Sequence, residues 1–97
     1  MQSLSTAQEK ELNDLEISCR NNYCSLKAKQ SDFHTVIIHS QAVLKIDPSN
    51  IKAKFRQGQG FYGLKKYEKA LEFLENAKNA SPHDDISKFE GLISAIF

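Results

Sequence analysis

The sequence predicts an all-α fold made of stacked helix–turn–helix units. Three observations predict it. Residues 17–50, ISCRNNYCSLKAKQSDFHTVIIHSQAVLKIDPSN, lie over residues 51–84, IKAKFRQGQGFYGLKKYEKALEFLENAKNASPHD, without a gap, a period of 34 residues. Pro48 falls on Pro82, Phe33 on Tyr67, Ile37 on Leu71, Val43 on Ala77 and small Cys24 on Gly58. Within each unit the apolar residues recur at steps of three and four, the spacing of one helix face. No strand pattern competes, because helical periodicity runs through the β-branched "TVIIHS" on both sides. A fixed period of this size marks units that cannot bury their own apolar faces and must stack.

Each element follows in order. Leu12, Leu15, Cys19, Tyr23 and Leu26 form one stripe, so the first helix begins near Ser5 or Thr6 and runs to about Lys29. "STAQ" offers a capping box from Ser5 to Gln8. Residues 5–16 form a charged extension expected to project beyond the repeats. "QSD" makes the turn, with Ser31 as the expected N-cap of the next helix. Phe33, Val36, Ile37, Ser40 and Leu44 make the second stripe, which stops at "IDPSN". Phe55, Gly58 and Phe61/Tyr62 mark the third helix, and "GLKK" breaks it. Tyr67, Ala70, Leu71, Leu74 and Ala77 mark the fourth, which ends at "NASPHD". Residues 85–97, with Ile86, Phe89, Leu92, Ile93 and Ile96 on one face, form a fifth helix that covers the last apolar face of the stack.

Ninety-seven residues bound this to a single domain, 1–97, with a modest core. Charge is nearly balanced, 13 Lys+Arg against 12 Asp+Glu, so bulk electrostatics favour neither nucleic acid nor membrane as a partner. No apolar run reaches spanning length, and the start lacks the basic-then-apolar pattern of a secretory signal. Cys19 and Cys24 are five apart on one helix and point in different directions, so two reduced, partly buried thiols are expected in a cytoplasmic protein.

The chemistry-bearing residues are few. Lys52 and Arg56 lie one helical turn apart, and Asn22 lies one repeat before Arg56, so stacking can bring the three together. A guanidinium fork, a point charge and an amide suit a carboxylate, with charge-assisted bonds of roughly 1.5–3 kcal/mol each. That outweighs the few tenths of a kcal/mol by which two cations one turn apart repel. Phe55 and Gln59 are candidate groove contacts beside them. No catalytic residue, metal ligand set or cofactor site is expected. His34 and His39 do not share a helix face and His83 is in a loop. Gly58, Gly60 and Gly63 follow no strand and precede no Gly-Lys-Ser/Thr, so Gly58 reads as a close helix contact. Phe33, Phe55, Phe61 and Tyr67 fall on core positions, which leaves no stacking platform for bases. The lysines and glutamates of "KKYEKALEFLEN" interleave as a solvated outer face.

The 34-residue period resembles the tetratricopeptide repeat. The second unit carries Gly58, Phe61, Ala70, Leu74, Ala77 and Pro82 at repeat positions 8, 11, 20, 24, 27 and 32. The first matches more loosely, with Cys24, Val36, Val43 and Pro48 at positions 8, 20, 27 and 32. The stretch "NIKAKFRQGQGFYGLKKYEKAL" is similar to the repeat domains of the large immunophilins, FK506-binding peptidyl-prolyl isomerases. "NNYC" followed by Phe33 resembles the aryl-hydrocarbon-receptor-interacting protein. The resemblance implies a superhelix of helix pairs, with an extended first helix and a capping last one. It also implies a groove in which positions 2 and 6 of the first helices grip an acidic C-terminal peptide. The partners so implied are the tails of cytosolic heat-shock chaperones, the ninety-kilodalton class favoured, and Asn22, Lys52 and Arg56 are the matching residues.

The family's clamp has five polar residues, two of them from an earlier repeat, and this chain carries three. The expectation is therefore a fragment or a variant of a larger co-chaperone, with any isomerase domain outside this chain. Lys54 departs from the family at position 4, where an apolar residue is usual, and its stem is expected to cross the helix interface. The rival expectation is a structural scaffold, a homodimer or a fixed-partner contact made by Phe89, Ile93, Ile96 and Phe97 or by the projecting first helix.

Overall fold

A computed structural model describes residues 5–80 and 86–96, with the side chains of 86–88 excepted. It has five helices, α1 Thr6–Lys29, α2 Phe33–Ile46, α3 Ile51–Gly63, α4 Tyr67–Ala80 and α5 Ile86–Ile96, and no strand among the described residues. Consecutive helices pack in pairs, and α3 also touches α1 and α5. This is the all-α arrangement of stacked helix–turn–helix units that the 34-residue period predicts. Pro82, His83, Phe97 and the Ile86 side chain lie outside the described residues.

α1 starts as its sequence requires. Ser5 Oγ accepts from the Gln8 N–H at 3.2 Å, and Gln8 Oε1 accepts from the Ser5 N–H at 3.0 Å. Its end differs from expectation. Ser31 does not cap α2; it sits at φ 59°, in the left-handed region. Asp32 is the cap, with Oδ1 accepting from the Thr35 N–H and Oδ2 from the Thr35 hydroxyl at 2.8 Å. The reason is the turn itself. A left-handed residue lets its own N–H and the one after it close back on the spent helix: Ser31 N–H reaches Ala28 O at 3.0 Å and Asp32 N–H reaches Lys27 O at 2.9 Å. Thirty-four residues on, the turn repeats. Lys65 stands at φ 64°, its N–H reaches Tyr62 O at 3.0 Å and Lys66 N–H reaches Phe61 O at 2.9 Å.

Small residues bring the helices together. A Cβ on Gly58 would lie 2.6 Å from Leu74 Cγ, and one on Gly60 2.7 Å from Ile37 Cγ1. Cys24, the repeat equivalent of Gly58, is fully buried with its thiol against Val36 O. The buried Gln57 amide donates to Ile37 O at 3.0 Å and pins α3 to α2. Lys54 reaches across to Asn76 Oδ1 of α4 at 2.8 Å.

Three packing details correct the sequence reading. Phe89 is fully buried against Leu74 and Ala77, with Leu92, Ile93 and Ile96 packed on the same cluster. That face of α5 is spent on closing the stack, so Phe89, Ile93 and Ile96 are not a free contact surface. Tyr67 is 44% exposed; as the first residue of α4 it meets Tyr62 edge-on, with ring centres 5.8 Å apart. Cys19 is exposed where a partly buried thiol was expected.

Candidate functional site

α1 and α3 lie side by side and leave a groove between them. A pocket of about 260 Å³ opens there, lined by Asn21, Asn22 and Ser25 of α1 and Lys52, Phe55 and Arg56 of α3. The geometry follows from the repeat. Asn22 and Arg56 are 34 residues apart and so occupy equivalent places on adjacent helices. Lys52 stands one turn from Arg56 on the same face. Asn50 fixes where that face begins, since its Oδ1 accepts from the Ala53 N–H at 2.9 Å and caps α3.

Arg56 is the least ordinary group in the pocket. It is half-buried, yet no ion pair joins it to a carboxylate among the described residues. Its Nη1 donates to Gln59 Oε1 at 2.8 Å, and the guanidinium lies 5.5 Å from the Phe55 ring centre. Burial pulls the guanidinium below its ordinary value, opposed by the Cys24 sulfur. Cys24 is pushed up by its own burial, with Arg56 and then Arg20 acting the other way. Lys52 is exposed at the pocket mouth and makes no ion pair among the described residues.

Asn22, Lys52, Arg56 and Phe55 thus line one pocket, whereas Gln59 lies outside its wall and holds the Arg56 fork. Phe55 has a second duty: its ring meets Phe89 of α5 edge-on at 5.3 Å. Two wall residues escaped the sequence reading. Asn21 donates to Asn50 Oδ1 at 3.4 Å, and its own Oδ1 is buried without a partner among the described residues. Ser25 is one turn further on. Their signal was the (i, i+4) pairing of small polar residues on the α1 edge next to Asn22. The two described histidines are engaged elsewhere or exposed: His39 Nδ1 is 2.8 Å from Arg20 Nη1 and its ring meets Tyr23 at 4.8 Å, while His34 is exposed. Among the described residues, no group of three or more His, Cys, Asp or Glu could hold a metal ion, and no helix is long and apolar enough to cross a membrane.

No protein-family model matches the chain. Among curated proteins it is 35% identical over 83 residues to tetratricopeptide repeat protein 9C of Xenopus tropicalis. That alignment covers 84% of this chain and 47% of the relative, so the chain spans about half the relative's length.

Proposed function

Taking as premise the tetratricopeptide-repeat domain that this 35% identical relative and the five-helix architecture support, we propose that the chain is a non-catalytic co-chaperone module. It recognises the acidic C-terminal peptide of a heat-shock chaperone of the ninety-kilodalton class, in the cytoplasm, as part of a larger immunophilin-like protein. One observation carries this reading. A half-buried guanidinium without a carboxylate among the described residues faces a pocket that also presents Lys52 and Asn22. Holding a charge out of water costs free energy unless a partner compensates it. A carboxylate arriving in the pocket supplies that partner, through bonds of roughly 1.5–3 kcal/mol each.

The roles divide by chemistry. Arg56, its fork held by Gln59, takes the terminal carboxylate in a two-point contact. Lys52 at the mouth adds a mobile charge for a second carboxylate. Asn22 donates its amide from the opposite wall. Phe55 gives an apolar surface for a Val-like side chain. The experiment is calorimetric titration with a peptide ending Glu-Glu-Val-Asp, as free acid and as amide. The free acid binds, the amide binds at least tenfold more weakly, Arg56→Ala abolishes the difference, and Lys52→Ala weakens both forms alike. Affinity falls as salt rises. Binding that ignores amidation and survives both substitutions would sink the proposal.

A further inference from the structure

The apolar stripe of α1 is turned mostly outward, and among the described residues only Tyr23, whose ring meets His39 of α2 at 4.8 Å, reaches the rest of the fold. Leu12, Leu15, Tyr23 and Leu26 are exposed by 52, 62, 40 and 49%, and Cys19 is exposed with them. The inward face of α1 is a different one, centred on Ile17, Cys24 and Ala28. The internal repeat identifies what kind of surface the stripe is. Thirty-four residues on, Cys19, Tyr23 and Leu26 become Ala53, Gln57 and Gly60 of α3, all three buried. Gln57 and Gly60 meet Ile37 of α2. The stripe therefore occupies the position at which a helix docks one repeat later, and among the described residues α2 only edges it at Tyr23 while Leu12, Leu15 and Leu26 stay open.

We propose that the α1 of a second copy covers it, antiparallel, about a two-fold axis at Cys19. The stripe is symmetric about that residue: Leu12 and Leu26 lie seven residues to either side, and Leu15 and Tyr23 four. An antiparallel pair thus sets Leu12 on Leu26 of the second copy, Leu15 on its Tyr23, and Cys19 on its Cys19. The flanking charges agree. Glu9 and Lys27 are 18 residues apart, about five full turns, and so lie on one side of the stripe; Glu11 and Lys29 share the other side. A perpendicular two-fold sets like side against like side, so Glu9 meets Lys27 and Glu11 meets Lys29 of the second copy. A parallel pair would instead set glutamates against glutamates and lysines against lysines. Lys27 also lies 3.9 Å from Asp32 and 5.4 Å from the centre of the Tyr23 ring, at the rim of the stripe. Arg20 is already paired to Glu16 at 3.0 Å and stays outside the exchange.

Sedimentation equilibrium over a wide concentration range at low salt tests this. The apparent mass doubles and stops there. Leu15→Glu, at an exposed position, weakens association at least tenfold with an unchanged helical circular dichroism signal. Glu9→Lys/Glu11→Lys and Lys27→Glu/Lys29→Glu are each monomeric alone and form a heterodimer when mixed. A short bismaleimide links two copies through Cys19, and Cys19→Ser abolishes the link. In the Cys19→Ser background, Leu12→Cys does not link to itself, because the antiparallel pair holds those positions about 21 Å apart along the axis. A constant monomer mass overturns the proposal, as does growth past the dimer. A dimer indifferent to Leu15→Glu, or self-linking of Leu12→Cys, does the same. None of these readouts involves the peptide pocket, so failure here leaves the proposed function standing, and the reverse also holds.

Discussion

Replacing Arg56 with Met separates what the cation costs the fold from what it does for a ligand. The substitution removes the 2.8 Å bond to Gln59, worth about 1 kcal/mol net, and the contact with the Phe55 ring, worth about 0.5–1 kcal/mol. Against this, a half-buried charge no longer has to leave water, the same burial that lowers the guanidinium's pKa. Relief of a poorly compensated polar group is on the order of 1–3 kcal/mol, and Met keeps an unbranched apolar stem in place. The opposing effects are of equal size, so folding stability changes by no more than about 1 kcal/mol, or about 4–8 °C in Tm for a domain of this length. Ligand binding has no such compensation. Met removes both points of the contact, and loss of even one charge-assisted bond weakens the free-acid peptide by about 10- to 150-fold, so the drop is at least that large. Urea unfolding followed by circular dichroism reads the first number, and calorimetry reads the second. A variant that loses more than about 2 kcal/mol of stability while keeping its peptide affinity would show that Arg56 is a strut and not a ligand for the peptide.

Other substitutions test the packing and the caps. Gly58→Ala puts a methyl within 2.7 Å of two buried Leu74 carbons, so an overpacking cost of about 1–3 kcal/mol exceeds the gain of about 1 kcal/mol in helix propensity and lowers stability. Gly91→Ala meets nothing within 4 Å and raises stability by about 0.5–1 kcal/mol in the same denaturation assay. Lys65→Gly relieves a left-handed side chain at a cost in unfolded-chain entropy, for a net gain of about 0.5–1 kcal/mol in urea unfolding. The Thr35 hydroxyl, the main influence on Asp32, holds its carboxyl below the ordinary aspartate value. Its folded pKa being the lower one, its contribution is fully present above the unfolded value of about 3.9 and is lost as pH falls through the folded one. Carboxyl-carbon NMR titration reads that shift directly, and Thr35→Val brings the value back up.

The 34-residue register made the architecture and much of the pocket legible. It placed Gly58 and Cys24 at close contacts, and it set Asn22 beside Arg56, because equivalent repeat positions must be neighbours in a stack. What it left hidden depended on direction or on backbone sign. An amphipathic helix such as α5 can turn its stripe toward its own chain or toward another, and only packing shows that Phe89 closes the core. The α1 stripe had the same periodicity and the opposite fate. Ser31 looked like a cap by residue type, yet the turn needs a left-handed residue there and passes capping to Asp32. Its equivalence to Lys65 was readable, but neither is the Gly or Asn that ordinarily signals such a turn. Asn21 and Ser25 were missed because their (i, i+4) spacing is shared by any solvated polar pair on a helix edge and singles out a cavity wall only beside Asn22.

The ring of Phe55 stands in two places at once, in the pocket wall and under Phe89 at 5.3 Å. End helices of a stack open at lower free energy than its centre, so α5 detaches before the rest of the fold unravels. Each detachment frees one side of Phe55 and loosens the wall that a bound peptide would rest on. Thermodynamic reciprocity then applies: a peptide that steadies Phe55 slows amide exchange in α5, although it touches no residue there. The lifetime of the last helix becomes a readout of whether the groove between α1 and α3 is filled.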